Sequence, residues 1–433
     1  MTDLLALSAH IIDDAILNEP TNRVTNELSE IAPDLAIVES FSHCVAWDSG
    51  DGLVCFDTSG VNTGPAVVSA LQSWRPVRFH SLIYTHGHAD HVGGSPAFGA
   101  HAKHHQQPLP RVVGHENIAA RFARYRQTND WNLAINHRQF GGISQDAGLG
   151  IGGVGTTFIP PDTLEVTQAF RAQHTLQIAN DTIELNHARG ETDDHLWAWM
   201  PERKWLASGD FVIWNFPNAG NPQKVQRYPI EWAAALRDMM TRQPELLLPA
   251  HGLPIEGKER IALVLGDIAS ALESLSTQVL DLMNAGATLN TIIHTAKISS
   301  DLLNKPYLRP FYDEPEFVVH NLWRQFGGWW DGAASRLKPS PDEVVARELA
   351  DLSGGAHVLA TRAQKVAVDG DLRLACHLID FAGWAAPDDV TIHAIRADIY
   401  KQRRDVELSL MSKGIYMSAS RESRAVVKKF EAK

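Results

Sequence analysis

Thr85-His86-Gly87-His88-Ala89-Asp90-His91-Val92-Gly93-Gly94 packs three imidazoles and a carboxylate into residues 86–91, directly after the short strand pattern of 79–85. On a strand, residues i and i+2 face the same way, so His86 and His88 can hold one metal ion. The turn at Gly87 and at Val92-Gly93-Gly94 lets Asp90 and His91 reach a second ion beside the first. A mixed nitrogen and oxygen donor set suits Zn²⁺, with Mn²⁺ or Fe²⁺ as other fits. A lone histidine is usually a polar core or surface residue. Four ligand-type side chains at this spacing behind a strand call for a metal site instead.

Outward from this motif, residues 35–40 (LAIVES), 43–47 (HCVAW) and 53–58 (LVCFDT) read as strands, with SGDG at 49–52 as the turn of a hairpin. Val67, Val68, Leu71 and Trp74 predict a helix over 65–74. Beyond the motif, 101–110 reads as a loop and 115–125 as a helix. The glycine-rich stretch 141–161 lacks the lysine of a phosphate-cradling loop and suits a flap or lining loop over a site. Strand patterns return at 174–187, 195–200, 203–208 and 245–250. After residue 257 the apolar spacing turns helical and stays mostly so to Lys433, which predicts two domains, 1–256 and 257–433.

HxHxDH followed by glycines resembles the metallo-β-lactamase superfamily. The resemblance implies an α/β fold, an αββα sandwich with metal ligands on loops at one edge, here followed by a mostly helical domain. It also implies further ligands in order, and Glu191 in NHARGETDDH, Asp210 ending KWLASGD and His251 ending LLLPAHG fit that order. His86, His88 and Glu191 would form one metal site, Asp90, His91 and His251 the other, with Asp210 bridging. His187, four residues before Glu191, is the alternative ligand at that turn. Such a site activates water between two cations about 3.5–4 Å apart. The resulting hydroxide attacks an ester-type centre, oriented by Asp90 or Asp210. His195 and Tyr228 are candidate proton donors to the leaving group, His195 having a turn or supporting role as its other reading.

GETDDH narrows the resemblance to the alkyl sulfatase branch, where a glutamate replaces the usual third histidine. YDEPEFVVHNLWRQFGGWWDG at 312–332 is similar to that branch's dimerisation segment, and NAGNPQKVQRY at 218–228 adds to it. The sterol-carrier-like C-terminal domain of the branch has no counterpart in this sequence. The resemblance implies a bridging Glu where Asp210 stands. It also implies an Asn and an Arg on the sulfate: Asn218 fits the first, and Gln223 falls at the second, with Lys224 and Arg227 close by. A guanidinium fork recognises a sulfate far better than a neutral amide. Trp214 and Phe216 are candidate walls of an apolar pocket. A homodimer is expected from Phe317, Val318, Leu322, Trp323, Phe326, Trp329 and Trp330, more apolar surface than one chain's core should need, docking of this helix on its own metal domain being the other reading.

The reading is therefore a hydrolase using two Zn²⁺ per chain on a partly apolar sulfate ester or similar small-molecule ester. A lactone, carboxylic ester, phosphoester or β-lactam is the alternative, and an iron-dependent oxidoreductase the rival of another class. His88 disfavours the diiron oxidases, which place an acid there, and a non-catalytic module would be expected to lack ligands that are all present. The 433 residues carry 39 basic and 51 acidic side chains, a net charge of −12 that argues against a nucleic-acid surface. Cys44, Cys55 and Cys376 form no CxxC pair, which fits a reducing compartment. The N-terminus lacks a basic signal-peptide region and no stretch has the roughly 18 apolar residues of a membrane span. A cytoplasmic protein is expected.

Overall fold

The computed structural model describes residues 3–140 and 157–431. Of the glycine-rich stretch 141–161 expected to form a flap or lining loop, residues 141–156 lie outside the described residues. Two sheets carry the first part of the chain. One runs in chain order through β1 (Leu28–Ala32), β2 (Leu35–Val38), β3 (Cys44–Asp48), β4 (Leu53–Phe56), β5 (Phe79–Ile83), β6 (Arg111–His115) and β7 (Gln168–Phe170). The other holds β8 (Gln173–Ile178), β9 (Asp181–His187), β10 (Leu196–Met200), β11 (Trp205–Gly209), β12 (Leu246–Pro249) and β13 (Ile255–Glu256). Hairpins make most pairs antiparallel, whereas β4–β5, β5–β6, β6–β7 and β11–β12 are parallel.

Strand alternation sorts the side chains into layers. In β10, Leu196, Ala198 and Met200 join Val45, Trp47, Val54 and Ile183 in the core between the sheets, while Trp197 and Trp199 face the other way. Strands buried on both faces need this two-sided apolar pattern. Each such side chain contributes about 1.5–3 kcal/mol. Outside the first sheet, Cys44, Ala46 and Leu53 pack with α2 (Gly64–Trp74), α4 (Ser95–His104) and α5 (Asn117–Gln127) through Val67, Leu71, Phe98, Ile118 and Phe122. Between α2 and α4 lies the single turn α3 (Ala89–Val92), and α6 (Asn129–Phe140) follows α5. The second sheet is covered by α1 (Leu4–Asp13), α7 (Pro229–Thr241) and α8 (Lys258–Asn284). The arrangement is the expected αββα sandwich followed by helices.

The break expected at 256 coincides with the change from strand to helix, but packing divides the chain elsewhere. Helices α8, α9 (Leu289–Thr295), α10 (Ser300–Leu303) and α11 (Pro315–Gly327) belong to the sandwich unit, which extends to Trp329. Ile261, Leu265, Leu272, Val318 and Leu322 share one core with Trp197, Trp214 and Trp232, and that burial ties them to the sheet. The second unit comprises residues 330–431, with 135–140, among the described residues. There α12 (Asp342–Ser353), α13 (Ala356–Val368), α14 (Leu372–Ala385), α15 (Val390–Asp405) and α16 (Leu410–Glu431) surround Leu359, Ala363, Val366, Ile379, Ile392 and Ile399. Asp371 and Asp389 cap α14 and α15 by accepting from the amides of Leu374 and Ile392. Among the described residues, no helix is long and apolar enough to cross a membrane.

Candidate metal centre

Five pieces of chain end at one edge of the sandwich. β5 delivers His86 and His88, α3 carries Asp90 and His91, and the turn between β9 and β10 carries Glu191. Asp210 follows β11 and His251 follows β12. Gly209 takes φ +52°, and a Cβ there would meet Thr85 Cβ at 2.8 Å, so a glycine is needed to turn Asp210 inward. At Gly87 the demand is space: an added Cβ would lie 2.8 Å from Arg121 Cδ and 2.9 Å from Asp194 Oδ2.

The donor atoms converge as three groups: His86, His88 and Glu191; His86, His91 and Asp210; Asp90, His91 and His251. His86 Nε2 lies 2.8 Å from His88 Nδ1, and His88 Nδ1 lies 3.5 Å from Glu191 Oε1. His251 Nε2 is 3.5 Å from both Asp90 Oδ2 and Asp210 Oδ2, and His91 Nε2 is 3.4 Å from Asp210 Oδ1. Asp210 thus stands between the two sets, 4.0 Å from His86 Nε2. Burial presses against charge here, but the facing carboxylates Asp210 and Asp90 overcome it at His251 and raise its pKa to about 10. Burial drives His86 and His88 well below the ordinary imidazole range.

A divalent metal fits this cluster on two observations. His91 Nε2, Glu191 Oε2 and Asp210 Oδ1 are buried without a hydrogen-bond partner, a costly state for three polar atoms aimed into one space. The donors are imidazole nitrogens and carboxylate oxygens, the set that Zn²⁺ takes. His91 is also oriented for the task. Its Nδ1 lies 2.7 Å from Asp57 Oδ2 and 3.1 Å from Ser42 Oγ, which turns Nε2 to the cluster. Asp57 also accepts from the Thr85 amide and hydroxyl at 2.8 and 2.7 Å, locking the start of the histidine motif.

At the β9 turn, Glu191 is with His86 and His88, whereas His187 stacks on His115 with ring centroids 3.8 Å apart. Glu191 is gripped from one side. Asn218 Nδ2 donates to its Oε1, Arg227 Nη1 donates to its backbone carbonyl, and Arg227 Nη2 lies 3.3 Å from Oε1. Arg227 is fully buried, so its guanidinium serves Glu191 rather than standing open as the expected anion contact. Lys224, with Arg227 nearby and Asp90 and Glu191 within electrostatic reach, is pushed down to about 7, mainly by burial. Its Nζ sits 5.7 Å over the Phe158 ring. Gln223 is half-buried, its backbone N–H donating to Asn221 Oδ1 at 3.2 Å.

Several expectations are corrected. Trp214 and Phe216 are wholly buried in the core, with Trp214 Nε1 donating to Leu253 O at 2.7 Å, so neither walls a pocket. His195 accepts the Asp210 amide at Nε2, lies against Phe211 and is depressed by burial to about 3. That place suits a neutral prop beneath Asp210, not a proton donor. Tyr228 precedes α7 with its ring beneath the Arg189 guanidinium at 4.6 Å. Of the expected interface helix, Val318 and Leu322 are core residues, while Phe326 and Trp329 are 51% and 70% exposed. Sequence reasoning missed Asp57 and Ser42, and also Phe41, edge-on to His251 at 5.2 Å. It missed Tyr312, whose hydroxyl is kept protonated by burial and by Glu191 and Asp90. Asp57 alone left a trace, an acid ending a buried strand as Asp210 does.

Residues 38–251 match the family model described as the metallo-beta-lactamase superfamily, and 288–425 match that described as alkyl sulfatase dimerisation. The chain is 24% identical over 392 residues to a linear primary-alkylsulfatase of Pseudomonas sp., covering 87% of this chain and 72% of that protein. It is 24% identical over 342 residues to an alkyl/aryl-sulfatase of Saccharomyces cerevisiae, covering 76% and 52%. A solved stereoselective inverting sec-alkylsulfatase from Pseudomonas sp. has the same fold, with a TM-score of 0.81 at 21% identity over 93% of this chain and 66% of that one.

Proposed function

Because the chain belongs to the metallo-β-lactamase superfamily of metal-dependent hydrolases, in its alkyl sulfatase-like branch, we propose that it hydrolyses sulfate esters of partly apolar small molecules at a two-metal site. The observation that carries this reading is the convergence of His86, His88, Asp90, His91, Glu191, Asp210 and His251 at one sheet edge, with unpartnered acceptors aimed inward. Two Zn²⁺ would suit these donors: His86, His88 and Glu191 would hold one and Asp90, His91 and His251 the other, with Asp210 standing between the two sets. Such a pair supplies a water acidic enough to attack near neutral pH and stabilises charge on the attacked and leaving oxygens.

The chain's own groups do the rest. Asp57 holds His91 in one tautomer, and Asn218 with Arg227 keeps Glu191 aimed, the guanidinium opposing the rise that burial imposes on its carboxyl. Asp90 and Asp210, both held by His251, are placed to orient the attacking water. Lys224 supplies the positive charge that meets the sulfate, in place of the guanidinium absent at Gln223. Phe41 and Phe158, beside His251 and Lys224, offer apolar surface for the ester's carbon chain. The dimerisation-family match supports a homodimer.

The test presents one alkyl chain bearing a sulfate, a carboxylic ester or a phosphate. Sulfate release is expected to be fastest. Rapid carboxylic ester cleavage with no detectable sulfate release would overturn the sulfatase reading and leave a hydrolase of another ester.

A further inference from the structure

The segment YDEPEFVVHN at 312–321 lies outside the part of the chain that matches the metallo-β-lactamase family, yet it is built into the metal centre. Asp313, wholly buried, accepts from the Gly220 amide at 2.6 Å and the Asn221 amide at 3.1 Å through Oδ2. Its Oδ1 accepts from the Glu314 amide at 2.8 Å, where α11 begins. Asn321, two turns along α11, donates to Ala219 O at 3.0 Å and Arg227 O at 2.8 Å, and its Oδ1 accepts from the Arg227 amide at 3.3 Å. Gly220 is pressed so close to α11 that an added Cβ would lie 2.5 Å from the Phe317 carbonyl carbon.

These contacts fix both ends of the loop that grips Glu191. Asn218 and Arg227 are the side chains of that loop on the carboxylate, and each is fastened through its own or a nearby residue's backbone to Asp313 or Asn321. Buried amides bonded to a carboxylate are charge-assisted contacts, stronger than neutral ones, and replacing the carboxylate leaves those donors unpaired. We propose that Asp313 is a positioning residue of the metal centre: it sets the 218–221 turn, and through Asn218 it aims Glu191 at His86 and His88. Asn321 completes the clamp from the Arg227 side. The inference rests on Glu191 being a metal ligand. Asp313 itself touches neither metal nor substrate, and acts through the loop.

The test compares Asp313→Ala and Asp313→Asn with Tyr307→Phe, which removes a 2.6 Å hydrogen bond to Asp267 elsewhere among the same helices. Hydrogen exchange on the metal-free proteins reads the loop, and Zn²⁺ competition against a chelator reads the site. Asp313→Ala is expected to speed exchange over 218–222 selectively and to weaken one Zn²⁺ equivalent about tenfold to a hundredfold. Asp313→Asn, which keeps one acceptor oxygen, should fall between, and Tyr307→Phe should leave both readouts unchanged. Unchanged Zn²⁺ affinity in Asp313→Ala would overturn the proposal, as would exchange that quickens equally across the unit in all three variants. Glu191→Gln separates the two failures. Unchanged affinity there overturns the ligand reading itself, whereas weakened affinity there with an unaffected Asp313→Ala overturns only the role of Asp313.

Discussion

As a metal ligand Glu191 has three requirements to meet: it must be buried, anionic and aimed at two imidazoles. Burial, with Asp210 and Asp90 adding to it, pushes its carboxyl well above the ordinary range even against the Arg227 guanidinium. Glu191→Gln should therefore weaken one metal equivalent at least tenfold and lower kcat by orders of magnitude, whereas His187→Gln, whose ring stacks on His115, should keep its metal. Equilibrium dialysis of both variants checks this, and the reverse ranking would refute the assignment. Lys224 carries a pH signature. Its ammonium is charged below about 7 and neutral above, against 10.5 for an ordinary lysine. KM for a sulfate ester should then rise as pH climbs through about 7, and Lys224→Arg, charged at every working pH, should abolish that rise. A flat wild-type profile from about pH 6 to about pH 9 would remove Lys224 from sulfate binding. At this scale the HxHxDH ligands were legible because their spacing is local. Asp57 was not, since its hold on His91 spans 34 residues of sequence. Trp214 misled because proximity to Asn218 in the chain does not say which way a side chain points.

The helix α11 illustrates what an apolar pattern leaves open. Its spacing of Val318, Leu322 and Trp323 is the same whether the helix docks on its own sheet or on a second copy. The structure sends Val318, Val319 and Leu322 inward and leaves Phe326 exposed. Leu322→Ala should cost about 2–5 kcal/mol in urea unfolding of the full chain. Phe326→Ala should change stability by less than about 0.5 kcal/mol if it does not sit in an interface. Equal losses would contradict this division of the helix faces. Strands such as 53–56 and 246–249 were legible because two-sided burial leaves continuous apolar runs bounded by turn residues, whereas β1, β6, β7 and β13 were not read as strands. The place where packing divides the chain was hidden, because α8 looks the same on either side of a boundary.

For the molecule as a whole, the exposed apolar surface must be accounted for. On α12, Ala346 and Ala350 turn inward while Val345, Leu349 and Leu352 lie exposed, Leu352 at 76%. A stripe of that kind is what a two-fold partner covers, in keeping with the dimerisation-family match. Light scattering should give about twice the 47.8 kDa chain mass, and Leu349→Asp with Leu352→Asp should shift it toward the single-chain value. A monomer in the wild type would rule the dimer out. The central claim is a two-metal centre that hydrolyses sulfate esters, and one titration tests it most directly. Zn²⁺ is added stepwise to metal-free protein while sulfate release from an alkyl sulfate is followed. Activity that rises to a plateau at two equivalents per chain is the predicted result; a plateau at one equivalent, or full activity without added metal, would contradict it.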